Sequence, residues 1–365
     1  MKGALKIGVI AKIPIYLHWS FSLILLSIIY VGYSSNQDVK GYFFLGLFFL
    51  IMFTLVVMHE FGHSLTARRF GVKTRDIILS PIGGIARLEE IPKKPWHEFL
   101  VAVAGPAVNI VIALISFSVL FLFDKSIFPP AENEIDLISK PENILPMLFW
   151  MNIILGVFNM IPAFPMDGGR VLRALLSIRM GRVKATKIAS IVGQLFAVGF
   201  IVYGIYAVHY VLPFIGVFIF LMARAEYKNV RTESIIDKAT AKDLLKDTFT
   251  TLAPSDKISR AISLREKGEK SFLIMHNEEP IAVLHELFLV EAIEQNDTDA
   301  DVLDYKSMNF EKITLDQKLK PLIKAFQNNG YSIVPVYDND KLVGTLDIEA
   351  INNFIKEQTK SRFRA

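Results

Sequence analysis

The chain has 365 residues, 52% of them hydrophobic and 12% aromatic, with a net charge of +4 and a mean hydropathy of +0.39. So apolar a composition excludes an ordinary soluble domain and indicates several membrane spans, and so small a charge gives no basis for nucleic-acid binding. Cysteine is absent, which excludes disulfides and restricts any metal site to His, Asp and Glu.

A spanning helix needs about 20 mainly apolar residues. Six segments qualify: Leu17–Tyr33, Tyr42 through the HEFGH cluster at 59–63, Phe99–Phe123, Ile144–Ile161, Ala189–His209 and Val211–Met222. The N-terminal run MKGALKIGVIAKIPIYLHW lacks a small-residue cleavage pattern and reads as the retained start of the first span. Between the second and third spans, VKTRDIILSPIGGIARLEEIP (72–92) has β-branched runs broken by Pro81, Gly83 and Gly84, the pattern of a short hairpin. The 68–98 and 167–188 loops are basic, whereas the 124–143 loop is acidic, with Asp124, Glu132, Glu134, Asp136 and Glu142. That alternation places both termini in the cytoplasm for six spans.

From about Ala223 the sequence becomes charged and repeats itself at an offset of 61: Lys257, Ile258 and Ser271 answer to Lys318, Leu319 and Ser332. Each copy has a helical stretch, an apolar strand (SFLIMHN; YSIVPVYDND), a turn, a second strand and a helix. Duplicated units of this kind bury a shared core. The expected division is a membrane domain over 1–226 and a cytoplasmic α/β domain over 235–365, with repeats at about 239–295 and 302–357.

The chemistry is concentrated in VVMHEFGHSLTARRF, residues 56–70. Tyr42 to Met58 carries no charge and runs straight into His59, Glu60 and His63. Ionisable groups at membrane depth are expensive and are functional candidates. On a helix, His59 and His63 share a face and can hold one zinc ion, with Glu60 beside them as general base. A catalytic zinc usually has a third protein ligand. His18, His97 and His209 stand at span ends and read as interface or loop residues. In FNMIPAFPMDGGR (158–170) two prolines break the helix, and Asp167 is the one acid in an apolar stretch. Turn chemistry alone, before Gly168 and Gly169, favours a turn aspartate at 167. Its position in a broken helix, at the depth of the two histidines, favours the ligand.

HEFGH, AGPAVN at 104–109 and NMIPAFPMDGGR at 159–170 resemble the site-2 protease family of intramembrane zinc metalloproteases, to which sporulation-type membrane proteases are related. The C-terminal duplication resembles a pair of CBS domains, as in the CBS-containing subgroup. The resemblance implies a polytopic α-helical membrane protein with a short membrane-associated β-hairpin and a cytoplasmic CBS pair. It implies one Zn2+ per chain held by His59, His63 and Asp167, and Glu60 as catalytic base. The expected reaction is hydrolysis of a peptide bond in or near a transmembrane segment, in a bacterial or archaeal cytoplasmic membrane. The same resemblance puts Asn159 and Asn109 near the site, to contact substrate backbone or the oxyanion; a cap or an interhelical hydrogen bond is the competing reading of both. A CBS-regulated transporter or channel is one rival, although it has no need of HExxH, and a zinc-binding pseudoprotease without turnover is another.

In many CBS repeats a strand ends with Gly, an apolar residue and Ser or Thr, with Asp three further on, gripping an adenine nucleotide. Here GTLDIEA (344–350) places Asp347 at the hydroxyl position and Ala350 at the acid position, and the 61-residue offset gives Glu286 and Leu289 in the first repeat. Carboxylates there repel phosphate. Weak or absent ATP binding is expected, with homodimerisation or substrate docking as the role.

Overall fold

Ala11 and Lys12 both have positive φ, 50° and 64°, the backbone of a tight two-residue hairpin turn. They join β1 (Ala4–Ile10) to β2 (Ile13–His18). The N-terminal run therefore does not begin a span. Its period-two alternation turns Ile13 and Ile15 inward, onto Ile77 and Leu79. β2 pairs in parallel with β3 (Thr74–Ser80), Ile15 opposite Ile77, and β3 pairs antiparallel with β4 (Gly83–Leu88). The segment expected to form a short hairpin contributes β3 and β4, half of a four-stranded sheet ordered β1-β2-β3-β4.

The computed structural model describes residues 4–81, 83–89, 92, 94–128, 140–266, 268–307 and 310–361. Glu132, Glu134 and Asp136 of the acidic loop lie outside them. The chain divides into two units, Met1–Lys228 and Asn229–Ala365.

The helices of the first unit are α1 (Ser22–Ser34), α2 (Val39–Arg69), α3 (Pro95–Leu122), α4 (Ile144–Asn159), α5 (Asp167–Met180), α6 (Arg182–Tyr206) and the part of α7 (Val211–Lys238) up to Lys228. Asp38 caps α2 by accepting the Gly41 N–H at 2.8 Å, and Arg68 and Arg69 complement the dipole at its far end. Among the described residues, four helices are long and apolar enough to cross a membrane: Val39–Arg69, Pro95–Leu122, Pro141–Asn159 and Arg182–Tyr206. The other two expected spans differ. Leu17–Tyr33 yields only a shorter apolar helix, within Trp19–Ser34, because the sheet takes its first residues. Val211–Met222 is the apolar opening of α7, which continues through charged sequence to Lys238. The basic 167–188 stretch, expected as a loop, is helical: α5 buries one face on Ala174 and Ser177 and ends at Gly181 with φ 77°. α3 packs against α2, α4 and α5 and is the central helix of the unit.

The second unit contains β5 (Thr251–Leu252), α8 (Ile258–Glu266), β6 (Ser271–His276), β7 (Glu279–His285) and α9 (Glu286–Glu294). The same order repeats as β8 (Ile313–Thr314), α10 (Leu319–Asn329), β9 (Ile333–Asp338), β10 (Lys341–Asp347) and α11 (Ile348–Ser361). The repeats exchange their leading segments. Ala241 and Leu244 pack in the second repeat's core and Val302 in the first's, and bridges Lys246↔Thr345 and Val283↔Ser307 extend the two sheets reciprocally. The register also corrects the sequence offset. α8 and α10 start 61 apart, but the strands and helices after them start 62 apart, one residue having been added between the start of α10 and β9. The counterpart of Asp347 is therefore His285 rather than Glu286, and that of Ala350 is Phe288 rather than Leu289.

Candidate metal centre

One turn apart on α2, His59 and His63 present their rings edge-on, with centroids 4.8 Å apart. Asp167, the first residue of α5, closes the triangle. Its Oδ2 lies 3.1 Å from His59 Nε2 and 3.0 Å from His63 Nε2, and the two Nε2 atoms are 3.1 Å apart. All three residues are buried.

His63 Nδ1 stands 2.7 Å from the Val101 carbonyl oxygen. A carbonyl only accepts, so this nitrogen carries the proton and Nε2 bears a lone pair. His59 Nδ1 likewise faces Asn109 Oδ1 at 2.6 Å. Two ring lone pairs and a carboxylate oxygen thus converge with no proton between them, an arrangement that repels itself unless a cation is shared. Tetrahedral zinc ligands at about 2.0–2.1 Å stand about 3.3 Å from one another, close to the edges observed. Among the described residues, His59, His63 and Asp167 are the one group of three that could hold a metal ion.

The space is kept open by α3. A Cβ at Gly105 would lie 2.2 Å from His63 Nε2 and 2.7 Å from His59 Nε2, so any side chain there would occupy the metal cradle. Glu60 faces the sheet: its Oε2 accepts the Ala86 N–H at 3.0 Å. β4 is the last strand of its sheet, so this N–H is directed away from β3 and toward α2. Gly84 lets the strand come this near, since its Cβ would lie 2.9 Å from Glu60 Cγ.

Residues 47–203 match peptidase family M50. A zinc metalloprotease of Methanocaldococcus jannaschii is 34% identical over 270 residues, which is 73% of this chain and 73% of that protein. The chain belongs to peptidase family M50, the site-2 protease family. Among solved structures, the site-2 protease from Methanocaldococcus jannaschii is 36% identical and covers 61% of this chain and 95% of its own, at a TM-score of 0.46. The CBS domain pair of another protein, solved with 5'-methylthioadenosine and S-adenosyl-L-methionine, is 18% identical over 33% of this chain and 98% of its own, at a TM-score of 0.30.

The Methanocaldococcus jannaschii relative is named a zinc metalloprotease, and the donor set of this chain fits that cofactor. Asp167 is delivered to it by a tightly nested turn. A Cβ at Gly168 would lie 2.3 Å from the carbonyl oxygens of Met160 and Ile161, and one at Gly169 2.7 Å from the Ala163 carbonyl carbon. The glycines let α5 start directly against this loop. Further along α5, the fully buried Arg173 donates from Nε to Glu98 of α3 at 2.7 Å, pairs with Glu226 of α7, and lies 5.0 Å over the Phe164 ring. The Asp167 end of α5 is thereby tied to two other helices. Composition did not single out Arg173, Glu98, Gly105 or Asn152; an isolated Asn in the apolar α4 was the available signal for Asn152. Asn159 is half-buried and donates to the Leu155 carbonyl one turn back at 3.0 Å, so the structure does not bring it into the triad's hydrogen-bond network. Asn109 is in that network, on His59. His18 instead bonds Ser20, and His97 stacks on Phe70.

Proposed function

We propose that this M50 peptidase is an intramembrane zinc protease that hydrolyses a peptide bond in or near a transmembrane segment of a membrane-protein substrate, as in regulated intramembrane proteolysis. The observation that carries the reading is the convergence of His59, His63 and Asp167, with Glu60 adjoining, at the end of an apolar helix. Val39 to His59 is 20 residues, about 30 Å of helix, so a helix entering at Val39 sets the triad near the far side of a hydrocarbon core of about 30 Å. We assign that side, and both termini, to the cytoplasm because the basic residues of the 68–98 loop and of α5 stand at that end.

His59, His63 and Asp167 would hold a zinc ion, which would supply the Lewis acidity that acidifies a water and polarises the scissile carbonyl. Glu60 does the proton work. Its Oε2 is engaged by Ala86, leaving Oε1 to take a proton from the attacking water and return it to the leaving amine as the C–N bond breaks. Ala86 also supports a role for β4. A substrate segment unwound from its helix and paired along β4 away from Ala86, whose own N–H Glu60 holds, would lie near the base. The C-terminal unit is read as a CBS pair serving homodimerisation or substrate docking. At the second cleft the Asp347 carboxylate is fixed as the cap of α11, accepting the Ala350 N–H at 2.7 Å, which disfavours ATP phosphates there. The first cleft has His285 at that position, so the repulsion argument applies to one cleft of the two.

The test compares purified wild type with Glu60→Gln against a library of single-span membrane proteins. Cleavage should fall by about 10²–10⁴-fold while one zinc per chain is retained. Undiminished cleavage by Glu60→Gln would remove it as the base. A wild type that cuts soluble peptides and no single-span protein would remove the intramembrane assignment.

A further inference from the structure

We infer that Asn152 and Asn109 are positioning residues that hold His59 in the one ring tautomer able to bind a metal through Nε2; the inference rests on the zinc reading above. The chain of hydrogen bonds has a fixed direction. Asn152 Nδ2 lies 2.7 Å from the Leu148 carbonyl oxygen, its own helix one turn back. That oxygen can only accept, so this end of the Asn152 amide is the nitrogen. The other end, Oδ1, then faces Asn109 at 3.1 Å and requires a donor, which makes the near atom Asn109 Nδ2. Asn109 Oδ1 is left pointing at His59 Nδ1, 2.6 Å away, and requires the proton to be on that nitrogen. His59 Nε2 then bears the lone pair that faces His63 and Asp167.

An asparagine's oxygen and nitrogen are interchangeable by shape alone. Here a backbone carbonyl settles both amides, and through them the histidine. Each asparagine side chain is fully buried, one on α3 and one on α4, among apolar residues where an unpaired amide would be costly. His63 needs no such relay, since the Val101 carbonyl serves it directly. If Asn109 turned over, its Nδ2 would face His59 Nδ1, favour a proton on Nε2 and set an N–H against the metal position. Asn152 prevents this turn.

Partners that orient a ligating histidine typically account for 10–100-fold in metal affinity. The experiment measures zinc affinity by chelator competition on the full-length protein in detergent, with the thermal midpoint of the zinc-free form as the control for folding. Asn109→Leu should bind zinc about 10–100-fold more weakly than wild type. Asn109→Asp should bind more tightly than Asn109→Leu, because a carboxylate accepts the same Nδ1 proton, although it no longer donates to Asn152 Oδ1. Asn152→Leu, which touches no ligand, should fall between them, since it frees the Asn109 amide to turn. Ring ¹⁵N shifts of His59 in the zinc-loaded wild type give a readout that needs no variant: Nδ1 should be protonated and Nε2 not. A protonated Nε2 overturns the inference. So does Asn109→Leu with wild-type zinc affinity, or Asn109→Asp as weak as Asn109→Leu at an unchanged zinc-free midpoint. Either result in a zinc-loaded wild type leaves the proposed function standing, whereas a wild type that takes up no zinc removes both.

Discussion

The two units of the chain bury opposite things. In the second, two apolar clusters built on Leu252, Phe272 and Ile274 and on Leu319, Val334 and Leu346 form the interior, and its described buried polar residues are Arg231 and Thr345. In the first, His59, His63, Asn109, Asn152, Asp167, Glu98 and Arg173 are buried, while Leu26, Phe43, Phe121, Leu195 and Phe214 are exposed. A water-soluble unit gains by removing apolar area from water. A unit whose surroundings are hydrocarbon gains nothing that way and keeps polar groups inside, where they satisfy one another. Interior polarity in the first unit is therefore where the chemistry lies, and the same residue types on the second unit's surface carry no such information.

The largest effect should follow from filling the polar interior where it is emptiest. Gly105→Ala would set a methyl carbon 2.2 Å from His63 Nε2 and 2.7 Å from His59 Nε2, well inside van der Waals contact, and should leave less than one zinc per chain. A misplacement of about 1 Å in a catalytic arrangement costs on the order of 10²-fold in rate, so activity should drop at least that far. Metal analysis beside a cleavage assay checks this. Full zinc content with wild-type turnover would show that α3 does not wall the site.

Next in size is the ion pair beneath α5. Removing one member of a buried pair costs about 3–5 kcal/mol, because the remaining charge is left uncompensated. Arg173→Leu should therefore lower the thermal midpoint of the first unit sharply, whereas Glu226→Gln, whose partner keeps Glu98 and whose own side chain is partly exposed, should lower it less. The double variant Arg173→Leu with Glu98→Leu should recover stability relative to Arg173→Leu alone. Equal midpoints for all three variants would mean that these charges are solvated, and the contrast between the two units would lose its best-buried example.

How much of this was legible depended on whether the determining contacts were local. His59, Glu60 and His63 are fixed by helical spacing within five residues and could be read directly. Asp167 required a motif 104 residues beyond His63, and its own surroundings favoured a turn. β1 and β2 were misread because Leu5, Ile7, Val9, Ile13 and Ile15 are as apolar as a span. What makes them a sheet is the parallel pairing of Ile15 with Ile77, which no local pattern displays. α5 was hidden by Gly168 and Gly169, which have poor helix propensity but are needed for the close approach at its start. In the second unit a single added residue before β9 displaced the alignment of the strands that follow, so the sequence offset named Glu286 where the structure has His285.

His285 also provides the smallest and most specific test of the contrast, because it is a polar group working at the edge of an apolar core. It caps α9, with Nδ1 accepting the Leu287 N–H at 3.0 Å, and this requires an unprotonated Nδ1. Burial holds its pKa below the ordinary histidine range, and the neighbouring Glu286 charge opposes that shift. The unfolded chain, with a value of about 6.5, thus binds the proton more readily than the fold. Stability contributed by neutral His285 is fully present above about pH 6.5 and is lost as the pH falls toward the folded value. On the full-length protein, the protection factor of the Leu287 amide should be lower at pH 5.5 than at pH 7.5, with little change at β6. His285→Asn keeps a side-chain oxygen that caps without titrating, so it should remove the pH dependence while preserving protection at neutral pH. If the Asn variant loses protection on acidification as the wild type does, the titrating group is elsewhere and the cap is not its cause.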